Sequence, residues 1–198
     1  MSAAADEIER AAEAVAAGEM VVYPTETVYG LGADALDSEP VERVFAAKGR
    51  DRDDPLSLAV SDPADAFDYV RTTETERAFM TAFLPGPVTV VCEKRAAVPD
   101  ALTGGRDRVG IRVPDHGLAR QFLDAAGPVT GTSANVSGRG SVTRVADLDP
   151  EIRDGAAVVL DGGETPGTES TVVDVAAGEI HRRGASADAV ERWLQERA

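Results

Sequence analysis

The chain has 198 residues, 43% hydrophobic and 28% charged, with a formal net charge of −15 at pH 7. That length suits one domain, 1–198, with a full core, and the composition is globular. So acidic a chain excludes a protein that coats nucleic acid by charge alone, though not a local basic groove.

Only two of its 20 basic residues are lysines, Lys48 and Lys94. An acidic, lysine-poor surface suggests a halophilic protein, because at about 1 M salt the Debye length is about 3 Å and self-repulsion is screened. The first residues are acidic and Ala-rich, and no run is long enough to span a bilayer, so a cytoplasmic protein with no membrane contact is expected. The one cysteine, Cys92, excludes a disulfide within the chain and reads as a buried, inert thiol.

Ile8, Ala11, Ala12 and Val15 recur at helical spacing, and Gly18 ends that helix. Met20-Val21-Val22 follows as a strand, which Pro24 keeps from pairing further. Thr25, Glu26, Thr27 and Tyr29 then crowd three hydroxyls and a carboxylate together. Ligands in α/β proteins gather beyond the carboxyl ends of strands, so this cluster reads as a ligand wall or as a self-capped turn. Gly30-Leu31-Gly32-Ala33-Asp34-Ala35 matches a dinucleotide fingerprint but follows a turn, and Pro40 lies where its helix should run. A strand over 31–35 is the simpler reading.

Ser38 is expected to cap the next helix, with Pro40 in its first turn. Val41, Val44, Phe45 and Lys48 share one face. Lys48 therefore either complements the helix dipole before Gly49 or aims its ammonium into a pocket. The loop over 49–55 mixes Arg50 and Arg52 with three aspartates. A strand over 55–60 precedes helices over 63–70 and 74–84. Pro85-Gly86-Pro87 breaks the chain before the strand of Cys92, with Lys94 at its solvated end.

Residues 102–108 read as a loop, and Val109-Gly110-Ile111-Arg112-Val113 as a strand carrying an arginine. Asp115 is expected to cap a helix that turns Leu118, Ala119, Phe122 and Leu123 inward. Pro128-Val129-Thr130 runs into 131–138, where small hydroxyl residues between glycines let a backbone approach a ligand. Asn135 stands where a nucleophile elbow needs its second glycine, and no Gly-Lys-Ser/Thr makes a P-loop. Asn135-Val136-Ser137 matches a glycosylation acceptor, discounted without a secretion signal. Strands over 156–160, 170–174 and 180–183 follow, with a flexible loop at 162–167. A closing helix turns Val190, Trp193 and Leu194 inward.

Six stretches in order carry a resemblance: Tyr23 to Gly32, Lys48-Gly49-Arg50, Pro85-Gly86-Pro87-Val88-Thr89, Ile111-Arg112-Val113-Pro114, Ser133-Ala134-Asn135, and Ser170-Thr171-Val172-Val173-Asp174. Together they resemble the YrdC family of threonylcarbamoyl-AMP synthases, over about residues 11–185. The resemblance implies an α/β fold, a twisted mixed sheet with helices around a central groove. It implies a nucleotidyltransferase that joins L-threonine, bicarbonate and ATP and releases pyrophosphate. The product would feed threonylcarbamoyladenosine synthesis in tRNA, completed by a partner transferase complex. Mg2+ is implied with ATP, without a metal cage built by the protein.

The resemblance also carries roles. Lys48, Arg50, Ser133 and Asn135 match the catalytic group. Lys48, Arg52, Arg108, Ser133, Ser141 and Arg182 match ATP contacts. Thr25, Ser57, Arg112, Gly131 and Ser170 match the threonine pocket. The chemistry suits these types: a triphosphate needs fixed cations, and a carboxylate suits the planar fork of Arg112. Asp51 and Arg183 stand where the family commonly carries proline.

A rival reading is a double-stranded RNA-binding or ribosome-maturation protein, since the resembled fold includes one credited with binding such RNA. Its groove cations would hold a phosphate backbone, of tRNA or another duplex. A serine hydrolase on Ser133 has only His116 and His181 as bases, neither in a recognisable setting nor in a metal-spaced cluster.

Overall fold

The apolar spacing at the start of the chain forms α1 (Ala3–Ala16), with Ile8, Ala11 and Val15 buried. The computed structural model describes residues 3–197. β1 (Met20–Pro24) and β2 (Tyr29–Gly32) make an antiparallel hairpin, and Pro24 pairs with Tyr29 as its last rung. Pro24 thus closes the ladder from within it. The strand expected over 31–35 starts earlier, at Tyr29. The turn at Thr25 sets that register, and beyond Gly32 only an Asp34–Val129 bridge continues the pairing.

α2 (Ser38–Lys48) is capped by Asp37 rather than Ser38. Asp37 has extended backbone and its carboxylate accepts from Glu39 N at 2.9 Å, whereas Ser38 is already inside the helix. Gly49 ends α2 in the left-handed conformation, φ 57°, which a residue without Cβ takes readily. β3 (Ser57–Ala59) follows. The helix expected over 63–70 is a 3-10 turn, Asp65–Asp68, and then β4 (Val70–Arg71). Asp62 and Asp65 take backbone N–H groups of Ala64 and Asp62, which favours a turn over a helix. Val70 pairs with Lys94 instead.

α3 (Glu74–Phe83) starts from a Thr73–Glu76 capping box. β5 (Val88–Lys94), α4 (Asp100–Thr103) and β6 (Arg108–Arg112) come next. α5 (Gly117–Ala126) is capped by His116, whose Nδ1 accepts from Ala119 N at 3.5 Å, not by Asp115. The chain continues through β7 (Val129–Ser133), α6 (Pro150–Gly155), β8 (Ala156–Val159), β9 (Thr171–Asp174), β10 (Glu179–Arg182) and α7 (Ala187–Gln195).

These strands form one mixed sheet of order β10-β9-β5-β6-β3-β7-β2-β1-β8, with β4 on β5. The pairs β1/β8, β3/β6 and β5/β9 are parallel and the rest antiparallel. Side chains alternate across the sheet. Val21 and Tyr23 pack with Ala11, Val15, Phe122 and Leu123 of α1 and α5. Val22 and Leu31 belong to the larger core with Phe45, Phe79 and Val190 of α2, α3 and α7.

Cys92 is fully buried, and desolvation pushes its thiol up to about 12, so it stays protonated. Trp193 meets Phe79 edge-on, with centroids 4.9 Å apart. Lys94 is not a solvated end. Its side chain is 12% exposed, and Nζ donates to Val98 O at 2.8 Å and Asp100 Oδ1 at 2.7 Å.

Candidate functional site

The strand order brings residues of β1, β2, β3, β5, β6, β7, β9 and β10 around a cleft of about 890 Å³. Two glycines keep it open. A Cβ on Gly110 would lie 2.8 Å from Ser57 Oγ, and one on Gly131 3.2 Å from Ser57 Cβ. Thr25 caps its own turn. Its hydroxyl donates to Val28 O at 2.6 Å and accepts from the N–H of Thr27 and Val28 at 3.2 Å, capping the turn. Thr25, Thr27 and Tyr29 also line the cleft.

The structure brings together Thr25, Arg50, Ser57, Arg108, Arg112, Gly131, Ser133, Ser141, Ser170 and Arg182 on the cleft wall. Arg50 is held by its own loop, with Nε donating to Asp54 O at 2.9 Å and Nη2 paired with Asp54 Oδ2 at 2.9 Å. Arg182 donates from Nε to Ser170 O at 3.0 Å and from Nη2 to Ser170 Oγ at 2.7 Å. Arg112 donates from Nη1 to Gly86 O and Val88 O. Its Nη2 faces Glu26 Oε1 at 2.8 Å and Thr27 Oγ1 at 3.5 Å.

Lys48, Asn135 and Arg52 do not line the cleft. Arg52 turns outward to an ion pair with Glu42, because its loop leaves it 63% exposed. Lys48 is 1% exposed and lies beneath the Ser133–Ser137 loop. Its Nζ donates to Ser133 O and to Asn135 O at 2.6 Å, and its own carbonyl accepts from Ser137 N at 2.8 Å. Burial first, and the nearby Arg50 charge second, push its ammonium down to about 8. A neutral amine still has two N–H groups, one for each carbonyl. Asn135 fixes the far side of the loop, with Nδ2 donating to Val136 O and Arg139 O at 2.9 Å each.

Sequence reasoning assigned no site role to Tyr23, Thr89 or Asp174, and named Glu26 only as part of the cluster around Thr25. Tyr23, Thr89 and Asp174 line the cleft, and Glu26 pairs with Arg112. Each sits inside or beside a stretch already singled out, and period-2 alternation along β5 would have put Thr89 on the face of Val91. Burial raises the Tyr23 phenol, so it stays protonated, with the Arg112 charge opposing. Among the described residues no group of His, Cys, Asp and Glu is arranged to hold a metal ion, and no helix is long and apolar enough to cross a membrane.

Fold and cleft together define a mixed α/β protein whose cavity, walled by arginines and hydroxyls, suits a small anionic ligand. A family model described as Telomere recombination, Sua5_yciO_yrdC, matches residues 13–184. The chain belongs to the Sua5/YciO/YrdC family.

It is similar to a threonylcarbamoyl-AMP synthase of Pyrococcus abyssi, at 40% identity over 85% of this chain and 50% of the relative. It is 33% identical to one of Pseudomonas fluorescens, over 88% of this chain and 96% of that relative. The crystal structure of P. abyssi Sua5 complexed with L-threonine matches with a TM-score of 0.81 and 37% identity, over 89% of this chain and 54% of that one. The chain thus spans half the length of the Pyrococcus relative and nearly all of the Pseudomonas one.

Proposed function

We propose that the protein is an L-threonylcarbamoyladenylate synthase that makes threonylcarbamoyl-AMP and pyrophosphate from L-threonine, bicarbonate and ATP. One observation carries this reading. Thr25, Ser57, Arg112, Gly131 and Ser170, from five separate stretches of sequence, line a single cleft with Arg50, Arg108, Arg182, Ser133 and Ser141. A neutral threonine amine adds to the carbon of bicarbonate, and water leaves to give a carbamate. A carbamate oxygen then attacks the α-phosphorus, and the bond to pyrophosphate breaks.

Arg50, Arg108 and Arg182 would oppose the charge that develops on the phosphates, from fixed positions in a partly dry cleft. Mg2+ enters with ATP as part of the substrate. Lys48 and Asn135 act beneath the surface, setting the backbone of the Ser133 loop against the nucleotide. Arg52 would have to leave Glu42 to reach ATP. The product would pass to a transferase acting on tRNA in the cytoplasm.

The test is pyrophosphate release with ATP, threonine and bicarbonate, each omitted in turn. Release is expected only with all three, and serine should be about 10- to 200-fold poorer than threonine, for one missing methyl in a closed pocket. Tight duplex-RNA binding with no pyrophosphate release would sink the enzyme reading in favour of an RNA-binding one.

A further inference from the structure

Arg108 opens β6 with its guanidinium at the cleft wall and its side chain 36% exposed. Nη2 donates to Val91 O and to Asp174 Oδ1, each at 2.8 Å. Glu76 Oε1 lies 3.7 Å from the same nitrogen. Nε is buried without a partner among the described residues. Nη1 makes no hydrogen bond among the described residues and is not one of the buried, unpartnered atoms, so it is the accessible nitrogen of a side chain that lines the cleft.

Both carboxylates are themselves held. Asp174 Oδ1 also accepts from Ala177 N at 3.0 Å, in the turn after β9. Glu76 Oε2 accepts from Thr73 N at 2.7 Å and Thr73 Oγ1 at 2.9 Å, at the start of α3. Two separate elements thus hold one guanidinium nitrogen, Asp174 by a hydrogen bond and Glu76 by a longer ion pair. Charge and geometry pull opposite ways here. Two carboxylates beside one guanidinium leave local negative charge, which by itself weakens the hold on an anion. As a brace, they keep a long flexible side chain aimed in one direction before any ligand arrives.

We propose that Asp174, backed by Glu76, is a positioning residue that aims Nη1 of Arg108 at the phosphate chain of ATP. The proposal rests on the synthase reading above. Asp174→Ala removes the brace and raises the KM for ATP about tenfold or more, while the KM for threonine stays within about twofold. Asp174→Asn keeps an acceptor oxygen for Nη2 and for Ala177 N, and recovers most of that loss, to about two- to threefold. ATP binding by calorimetry gives the same ranking without turnover.

The sign decides the matter. If charge dominates, both variants bind ATP more tightly than the natural chain, and the proposal is wrong. An equal rise in KM for both substrates marks a general structural role and overturns it too. Should Asp174→Ala not fold, Asp174→Asn decides alone: a higher KM for ATP supports the brace, and a lower one overturns it. A folded natural chain that binds neither ATP nor threonine removes the synthase reading itself, an outcome visible before any variant is made.

Discussion

Arg108 and Arg112 lie four residues apart on β6, so alternation puts both on the cleft face of one strand. They end in opposite states. Arg112 is 10% exposed, and both of its Nη nitrogens are engaged, by Gly86 O, Val88 O, Glu26 and Thr27. Arg108 keeps Nη1 free. The first guanidinium ties the Thr25 turn to the break before β5, and the second is a tethered donor with a free end. A two-pronged hold on a ligand carboxylate by Arg112 therefore requires Glu26 and Thr27 to give way, because its Nε–H alone supplies only one prong. Residue type and strand face do not tell a structural cation from an available one. The donors left over do.

Arg112→Ala should have the greatest effect. It strands a mostly buried Glu26 carboxylate, whose Oε2 already has no partner among the described residues. A loss of about 3–5 kcal/mol in unfolding free energy is expected by urea titration. A loss below about 1 kcal/mol would show that Arg112 ties nothing together.

Next in size is Lys48→Met, which keeps the apolar stem and orphans the carbonyls of Ser133 and Asn135. Catalytic efficiency should fall roughly 100-fold, through a misplaced loop rather than a lost ligand contact. The same variant isolates a pH effect. The Lys48 ammonium is held at about 8, below its ordinary 10.5, so between those values the unfolded chain binds more protons than the folded one. Stability then rises with pH across about 8 to 10.5, by up to ~3 kcal/mol. Melting curves of the natural chain should carry that rise and those of Lys48→Met should lack it. Parallel curves would mean that Lys48 is not held neutral by its burial.

The smallest effect sharpens the contrast. Glu26→Gln weakens the internal claim on Arg112 Nη2 while keeping the shape of the side chain. The KM for threonine should fall about two- to threefold with the KM for ATP unchanged. A rise in the KM for threonine would mean that Glu26 serves the ligand rather than competing with it.

Much of this was readable before the fold. The apolar spacing of Ile8, Ala11 and Val15, the run at Leu118, Ala119, Phe122 and Leu123, the break at Pro85-Gly86-Pro87 and the stop at Gly49 are local, and each element formed there. The motif stretches also told many of the residues that meet, because most of them sit on or beside strands of the sheet that faces the cleft, while Lys48-Gly49-Arg50 comes from the end of α2. Much of what stayed hidden depended on partners far along the chain. The caps were a local matter that spacing alone did not settle: Asp37 and His116 have the extended backbone a cap needs, so Asp37 displaced Ser38, and His116 displaced Asp115 although Asp is the commoner cap. The stretch over 63–70 lost its helix to aspartate-held turns and to pairing with β5.

Lys48 and Lys94 looked different in sequence and proved alike, each a compact ammonium that grips backbone carbonyl oxygen in a tight place. Arg52 stood in a motif and turned away to Glu42. Periodicity names the face a side chain takes. Only the assembled sheet supplies the carbonyls and carboxylates it meets there, and those set the charge and the donors that remain for a ligand.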